Sequence, residues 1–281
     1  MRAVSLVPSI TESLFELGLG HSVVAITDYC IYPAEALAGL PRIGGTKNPR
    51  LPEIVALQPD VVFANQEENT RAAVEGLRAA GVNVVLHFPQ TVEQAVADLA
   101  SIAALFGSPA ARQRVAQLAQ QVAAVRQQAP RALRTFVPVW YEEGDPQWWM
   151  TLNQHTFTHD VLALCGFENV FAARERRYPL AADLGSEPAK LAEGRDTRYP
   201  RVTAAEIRAA QPQAALLPSE PYAFAAQDAQ RLADAVGGPL VAQRIRLVDG
   251  SLLTWPGTRL GLAISALQAL HADLMSQPVS K

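Results

Sequence analysis

The stretch Ser108 to Pro130, SPAARQRVAQLAQQVAAVRQQAP, decides how the rest of the chain is read. Ser108 suits a helix N-cap, and Pro109 suits the first helical position, where its missing N–H costs nothing. Val115, Leu118, Val122 and Val125 recur at the spacing of one helical stripe, with Gln and Arg on the opposite face. Pro130 stops the run. A continuous helix from Pro109 to Ala129 would reach about 31 Å, the width of a small domain. The residues before and after it repeat an α/β pattern, so the expectation is a rigid strut between two lobes. An ordinary surface helix of one larger domain has the same periodicity.

The remaining numbers bound the answer. A chain of 281 residues, 49% hydrophobic and 18% charged, can bury a sizeable core in one or two domains. The formal charge of −3 and the lack of a long basic run argue against nucleic acid as a partner. Cys30 and Cys165 fall in different halves and read as small buried hydrophobes rather than a disulfide. No apolar run approaches bilayer-spanning length. The opening MRAVSLVPS has no basic n-region, apolar segment or cleavage site, so by itself it reads as a chain that is not exported.

Working outward, apolar runs alternate with helical patterns. Ala3 to Val7, Val23 to Thr27, Asp60 to Ala64 and Val82 to Leu86 read as strands of the first half. Ser9 and Glu12 have the spacing of a capping box for a helix to Leu17. Beyond the strut, Thr135 to Trp140 reads as a strand and Tyr141 to Trp149 as a polar, aromatic loop. Ala172 to Arg201 is irregular, and an irregular stretch of that length is unusual. Ala214 to Leu217 and Arg246 to Val248 are further strands. The alternation predicts parallel sheets covered on both faces. The expected organisation is an N-terminal α/β lobe (1–107), a connecting helix (108–130) and a C-terminal α/β lobe (131–281). An internal repeat supports it: Glu53-Ile54-Val55-Ala56-Leu57-Gln58-Pro59 matches Glu206-Ile207-Arg208-Ala209-Ala210-Gln211-Pro212 at an offset of 153. Carried forward, that offset sets Glu67 opposite Glu220, each just past a strand.

Catalytic signatures are missing: there is no Gly-x-Ser-x-Gly, no His-Glu-x-x-His and no Walker loop. Gly44-Gly45-Thr46-Lys47 is followed by Asn48-Pro49 where a phosphate loop needs a helix. His155 and His159 share a helical spacing, but no further ligand completes a metal set. Aromatics are more informative. Trp140, Tyr141, Trp148 and Trp149 crowd together, Trp255 sits in a Gly/Pro loop, and Tyr29, Tyr32, Tyr222 and Phe224 follow strands. Such a set suits a broad apolar ligand, and part of it equally suits core packing.

The segments VSLVPSITE (4–12), GGTKNP (44–49), LQPDVV (57–62), NQEEN (65–69), RYPRV (198–202) and LPSEPY (217–222) resemble the helical-backbone substrate-binding proteins of ABC importers. This group includes cobalamin- and ferric-siderophore-binding proteins. The resemblance implies two α/β lobes with parallel-type sheets, one long rigid helix, and ligand in the interlobe cleft. It implies a non-enzyme that binds a corrinoid or related metal chelate and delivers it to a permease dimer. Tyr29, Lys47, Asn48, Trp140, Trp149, Tyr222 and Trp255 are then the ligand-binding candidates. Glu67 (or its neighbour Glu68) and Glu220 are the permease-docking acids. A corrinoid is favoured because the broad aromatic set fits a large macrocycle and no cluster of arginines stands out as an anchor for a catecholate siderophore; haem and siderophores are alternatives. No catalytic residue, resident metal or covalent cofactor is implied, and the chain is expected to be a monomer. The family is extracytoplasmic. A non-exported cytosolic carrier or sensor is the alternative that the opening residues suggest.

Overall fold

In the computed structural model, which describes residues 1–128, 130–238 and 240–277, the chain divides into two units. The first comprises Met1–Ala123 and Trp255–Gly261, the second Ala124–Thr254 and the described part of Leu262–Lys281.

The strands of the first unit are β1 (Ala3–Ser5), β2 (Val23–Ile26), β3 (Val61–Asn65) and β4 (Val84–His87). They form one sheet in the order β2-β1-β3-β4, every pair parallel. Parallel neighbours need crossover connections, which places helices between the strands. These are α1 (Pro8–Glu16), α2 (Leu51–Ala56), α3 (Arg71–Ala79) and α4 (Val92–Leu105), followed by α5 (Pro109–Arg126). All five residues of β3 are buried, as a central parallel strand covered on both faces requires.

Two helix starts differ in an instructive way. At α5 the Ser108 hydroxyl accepts from the Ala111 amide at 3.2 Å, the expected cap. Val115, Leu118, Val122 and Val125 are all buried, so the stripe faces inward. The helix ends at Arg126, and Ala129, the expected last residue, lies outside the described residues. At α1 the Ser9/Glu12 capping box does not form. Pro8 already occupies the first turn, Val7 is the cap, and no side chain caps it. Ser9 is therefore helical, and its carbonyl accepts from the Ser13 hydroxyl at 2.7 Å.

In the second unit the strands are β5 (Leu133–Phe136), β6 (Trp140–Glu142), β7 (Trp148–Met150), β8 (Phe167–Asn169), β9 (Arg201–Thr203), β10 (Ala214–Pro218) and β11 (Ile245–Val248). Its helices are α6 (Phe157–Leu164), α7 (Leu180–Asp183), α8 (Ala204–Ala210), α9 (Ala226–Val236), α10 (Ser251–Thr254) and α11 (Leu260–Ser276), the last beginning in the first unit. The main sheet runs β11-β10-β5-β8, again all parallel. Counting strands of each main sheet in chain order, both sheets read second, first, third, fourth. The segment from Tyr141 to Trp149, expected as a loop, is instead an antiparallel hairpin. Tyr141 pairs with Trp149, and β9 completes a separate three-stranded sheet.

The 153-residue repeat is structural. β3 and β10 begin and end at that offset, both are fully buried, and each is the third strand of its sheet. Gln58 and Gln211 before them are both left-handed, with φ of 46° and 48°. A residue preceding proline is pushed out of the right-handed helical region, so each Gln-Pro ends its helix and redirects the chain into the strand. Past the strands the correspondence continues: Gln66 N–H donates to His87 O and Ser219 N–H to Val248 O, both at 3.0 Å.

Candidate functional site

In the first unit, the connection after β2 is pinned by Arg42, whose Nη1 donates to Thr27 O at 2.9 Å and to Cys30 O at 2.7 Å. This holds Tyr29 outward, 64% exposed. The Gly44-Gly45 turn lies against it. A Cβ at Gly45 would fall 2.5 Å from Asn48 Oδ1 and 3.3 Å from the Tyr29 ring, so a larger residue there would displace the Asn48 side chain. Lys47 and Asn48 are exposed beside Tyr29's neighbour Gly45, and Lys47 Nζ donates to Glu67 O. Beneath the loop, burial pushes the Cys30 thiol up, opposed by hydrogen bonds with Thr11 and Thr27.

Trp255 is largely buried and edge-on to Tyr32, with ring centres 6.0 Å apart. The Arg259 guanidinium lies over both rings, 4.4 Å from Tyr32 and 5.1 Å from Trp255. Glu12 holds it there through two bonds, 2.8 Å to Nε and 2.6 Å to Nη2. A planar guanidinium can stack and pair bidentately at once, which lysine cannot. Tyr32, at 38% exposure, presents this cluster's surface, and Trp255 backs it. Sequence reasoning missed Arg259 and misread Glu12 as a cap because the pair is separated by 247 residues.

In the second unit Trp140 is 41% exposed and meets the half-buried Tyr222 edge-on, centres 5.4 Å apart. Trp149 does not share that surface. It sits on the middle strand of the three-stranded sheet, 2% exposed, packed 5.3 Å from Tyr141 within the unit's core. The expectation of Trp149 as a ligand contact is corrected accordingly. Alternation along the hairpin turns Tyr141 and Trp149 inward and Trp140 outward.

The acids occupy equivalent turns. Glu67 is exposed, and its amide donates to Asn65 Oδ1 at 2.7 Å. Asn69, buried nearby, accepts from Asn65 N–H at 2.9 Å and donates to Thr46 O at 2.8 Å, tying the turn to the Gly-rich loop. Glu68 is half-buried. Glu220 is half-buried as well: its Oε1 accepts from the Thr254 hydroxyl at 2.7 Å. Gly250 packs so closely that a Cβ there would fall 2.4 Å from Glu220 Cγ.

Among the described residues, no group of three or more His, Cys, Asp and Glu side chains gathers as a metal site. Burial pulls the His159 imidazole down and pushes the free Cys165 thiol up to about 12, so both stay neutral at pH 7. No described helix is long and apolar enough to cross a membrane. What the linear sequence concealed is a group of arginines in the 172–201 connection, gathered by the fold around the buried carboxylate of Asp183.

Two units, each with a four-stranded parallel sheet of one topology and aromatic loops past its strands, define a bilobal binding-protein fold. The family model described as periplasmic binding protein matches residues 4–193. The chain belongs to that family. It is 31% identical over 181 residues to the vitamin B12-binding protein of Yersinia pestis (strain Pestoides F), a match covering 63% of this chain and 62% of that relative. The chain thus spans somewhat under two thirds of the length of the curated relatives it matches. Its fold is that of the periplasmic vitamin B12 binding protein BtuF of Vibrio cholerae (TM-score 0.72, 22% identity, 98% of each chain). It is equally that of the periplasmic heme-binding protein RhuT from Roseiflexus sp. RS-1 (TM-score 0.74, 22% identity, 97% and 98%).

Proposed function

We propose that the protein is the ligand-binding component of an ABC importer, taking up a corrinoid and presenting it to a permease dimer. The observation that carries this reading is the aromatic surface of each unit: Tyr29 with Tyr32 on the connection after β2 in the first, and Trp140 at the start of β6 with the half-buried Tyr222 after β10 in the second. Large exposed rings are costly in water and useful against a broad, largely apolar ligand. Lys47 and Asn48 beside Tyr29 add polar contacts to the ligand's edge. The 31% identical relative carries the name of a B12-binding protein, which favours a corrinoid over the haem that other proteins of this fold bind. Glu67, with Glu68 beside it, and Glu220 serve as docking acids for basic pockets on the permease. The protein acts as a monomer outside the cytoplasm and performs no catalysis.

Incubation with cyanocobalamin, then with haem in a parallel sample, followed by gel filtration and a visible spectrum tests the reading. The corrinoid bands should co-elute with protein, and the double change Tyr29→Ala plus Trp140→Ala should weaken binding at least about tenfold, since aromatic anchors dominate such surfaces. Retention of haem alone moves the ligand assignment to haem. Retention of neither overturns the proposal.

A further inference from the structure

The 172–201 connection in the second unit contains Arg174, Arg176, Arg177, Arg195, Arg198 and Arg201 with Lys190, against the acids Glu175, Asp183, Glu187, Glu193 and Asp196. Asp183, wholly buried, has its acceptor sites already occupied. It takes the Arg177 amide at 2.9 Å and the Arg201 amide at 2.9 Å, and pairs with Arg174 at 3.1 Å and Arg201 at 3.4 Å. Asp196 is engaged bidentately by Arg198, at 3.0 and 2.6 Å. Glu206 caps α8 through the Thr203 amide at 3.0 Å and reaches Arg174 only at 3.5 Å.

Two guanidinium groups are left over in part. The Nε atoms of Arg176 and Arg201 are both buried and find no acceptor among the described residues. Buried N–H groups of a cation are costly to leave unpaired, so a pair of them in one cluster demands an acceptor. The two side chains are close enough to repel: the Arg201 guanidinium is pulled down first by burial and next by the charge of Arg176. Their positions are nevertheless fixed. Arg176 and Arg195 stack on the Tyr178 ring at 4.7 and 4.2 Å, and the Tyr178 hydroxyl donates to Asp196 O at 2.7 Å. Arg176 N–H donates to Thr197 O and Lys190 N–H to Tyr178 O, both at 2.8 Å, so the two arms of the connection are tied across. Arg201 lies 5.9 Å from the Trp148 ring centre. Forked guanidinium donors with a buried, unpaired N–H are what recognition of a carboxylate or phosphate uses.

We propose that Arg176 and Arg201 form a binding site for an oxyanion, a phosphate or carboxylate group that satisfies both buried Nε–H donors. The group is either a free anion or an acidic substituent of the bound chelate.

Isothermal titration of the full chain with inorganic phosphate, against potassium chloride at matched ionic strength, tests the site directly. Tryptophan emission followed in wild type and in Trp148→Phe isolates the response of Trp148. Wild type should bind phosphate and gain thermal stability with its concentration, as any ligand selective for the folded state produces. Arg176→Gln should weaken that binding at least about tenfold, the loss of one charge-assisted pair. Arg176→Lys, which keeps the charge but not the fork, should fall between. Arg71→Gln, in the first unit, should bind as wild type. Haem and its dimethyl ester then distinguish the sources. Preference for the free acid that disappears in Arg176→Gln assigns the site to the chelate's substituent. Phosphate binding with no such preference assigns it to a free anion. If wild type binds phosphate no better than chloride and does not distinguish haem from its ester, the proposal fails. Equal phosphate affinity in wild type and a folded Arg176→Gln overturns it as well, and circular dichroism checks that the variant is folded.

Discussion

In each unit a long connection leads from the second strand of the main sheet to the helix before the third, and the two are fastened by opposite chemistry. In the first unit residues 27–50 are held by a cation on neutral acceptors: Arg42, itself exposed, gathers the Thr27 and Cys30 carbonyls. In the second, residues 170–200 are held by an anion on donors: Asp183, wholly buried, gathers two backbone amides and two guanidiniums. A surface clamp keeps its water and leaves little charge inside. A buried clamp must import its counterions, and this one has imported more arginine than it neutralises. The difference teaches that two units whose main sheets share one topology fasten the equivalent connection by distinct chemistry.

The comparison can be broken most severely at Asp183. Asp183→Ala leaves Arg174 and Arg201 in the interior without their carboxylate, and removing one partner of a buried pair costs about 3–5 kcal/mol. Urea denaturation should show that loss, and hydrogen exchange should place the faster exchange in peptides covering 172–203. Arg42→Ala should cost less, about 1–2 kcal/mol, because the freed carbonyls lie where water can replace the guanidinium. If the two variants proved equally destabilised, the contrast between a buried and a surface clamp would be wrong.

Much of this architecture is legible in the sequence, for reasons that particular residues make plain. Val61 to Ala64 and Ala214 to Leu217 are unbroken apolar runs after Gln-Pro, and strands covered on both faces have no other pattern. The Val115–Val125 stripe announces α5. The hairpin is hidden because its strands are three residues each and the intervening EGDPQ looks like loop, although Tyr141 and Trp149 carry the buried half of its alternation. β8 is equally short. The candidate ligand surface is read less completely. Tyr29 and Trp140 stay at the surface and Tyr222 is half-buried, whereas Trp149, beside Trp148, turns inward because neighbouring strand residues face opposite ways. Glu12–Arg259 and the Asp183 cluster depend on contacts made only after folding, which no local pattern encodes.

The acidic turns extend the comparison at a smaller energy. In the second unit Thr254 holds the acid's own carboxylate, whereas in the first Asn65 holds the backbone beneath it. Thr254→Val keeps the shape and removes the hydroxyl, so the expected loss is one hydrogen bond to a charged group, about 1.5 kcal/mol. Thermal denaturation should resolve it. Permease docking should weaken in step, because Glu220 would then sample more side-chain positions and lose order on each encounter. Docking unchanged by this substitution would mean that Glu220 need not be pre-positioned.

The most informative substitution for function is Glu67→Ala combined with Glu220→Ala, whose cost to the fold should stay close to that of Thr254→Val because both remove the same bond. Glu67 lies at the surface, and replacing such residues usually changes stability by no more than about 0.5 kcal/mol. Glu220 adds only the Thr254 bond. Chelate affinity should therefore match wild type, since Glu67 and Glu220 are not among the aromatic side chains proposed to meet the ligand and Lys47 bonds the Glu67 backbone rather than its carboxylate. Binding to permease in nanodiscs should fall steeply, because each acid would otherwise meet a basic pocket and fix the orientation of the docked protein. The remaining wild-type binding should also weaken from 0.05 to 0.5 M salt (about a threefold change in screening length), whereas the double variant should show a much flatter response. The single changes separate the turns. If Glu67→Ala alone leaves docking intact while Glu68→Ala abolishes it, the docking acid of the first unit is Glu68. A double variant that loses chelate binding while staying folded would instead move both acids into the ligand site and end the docking assignment.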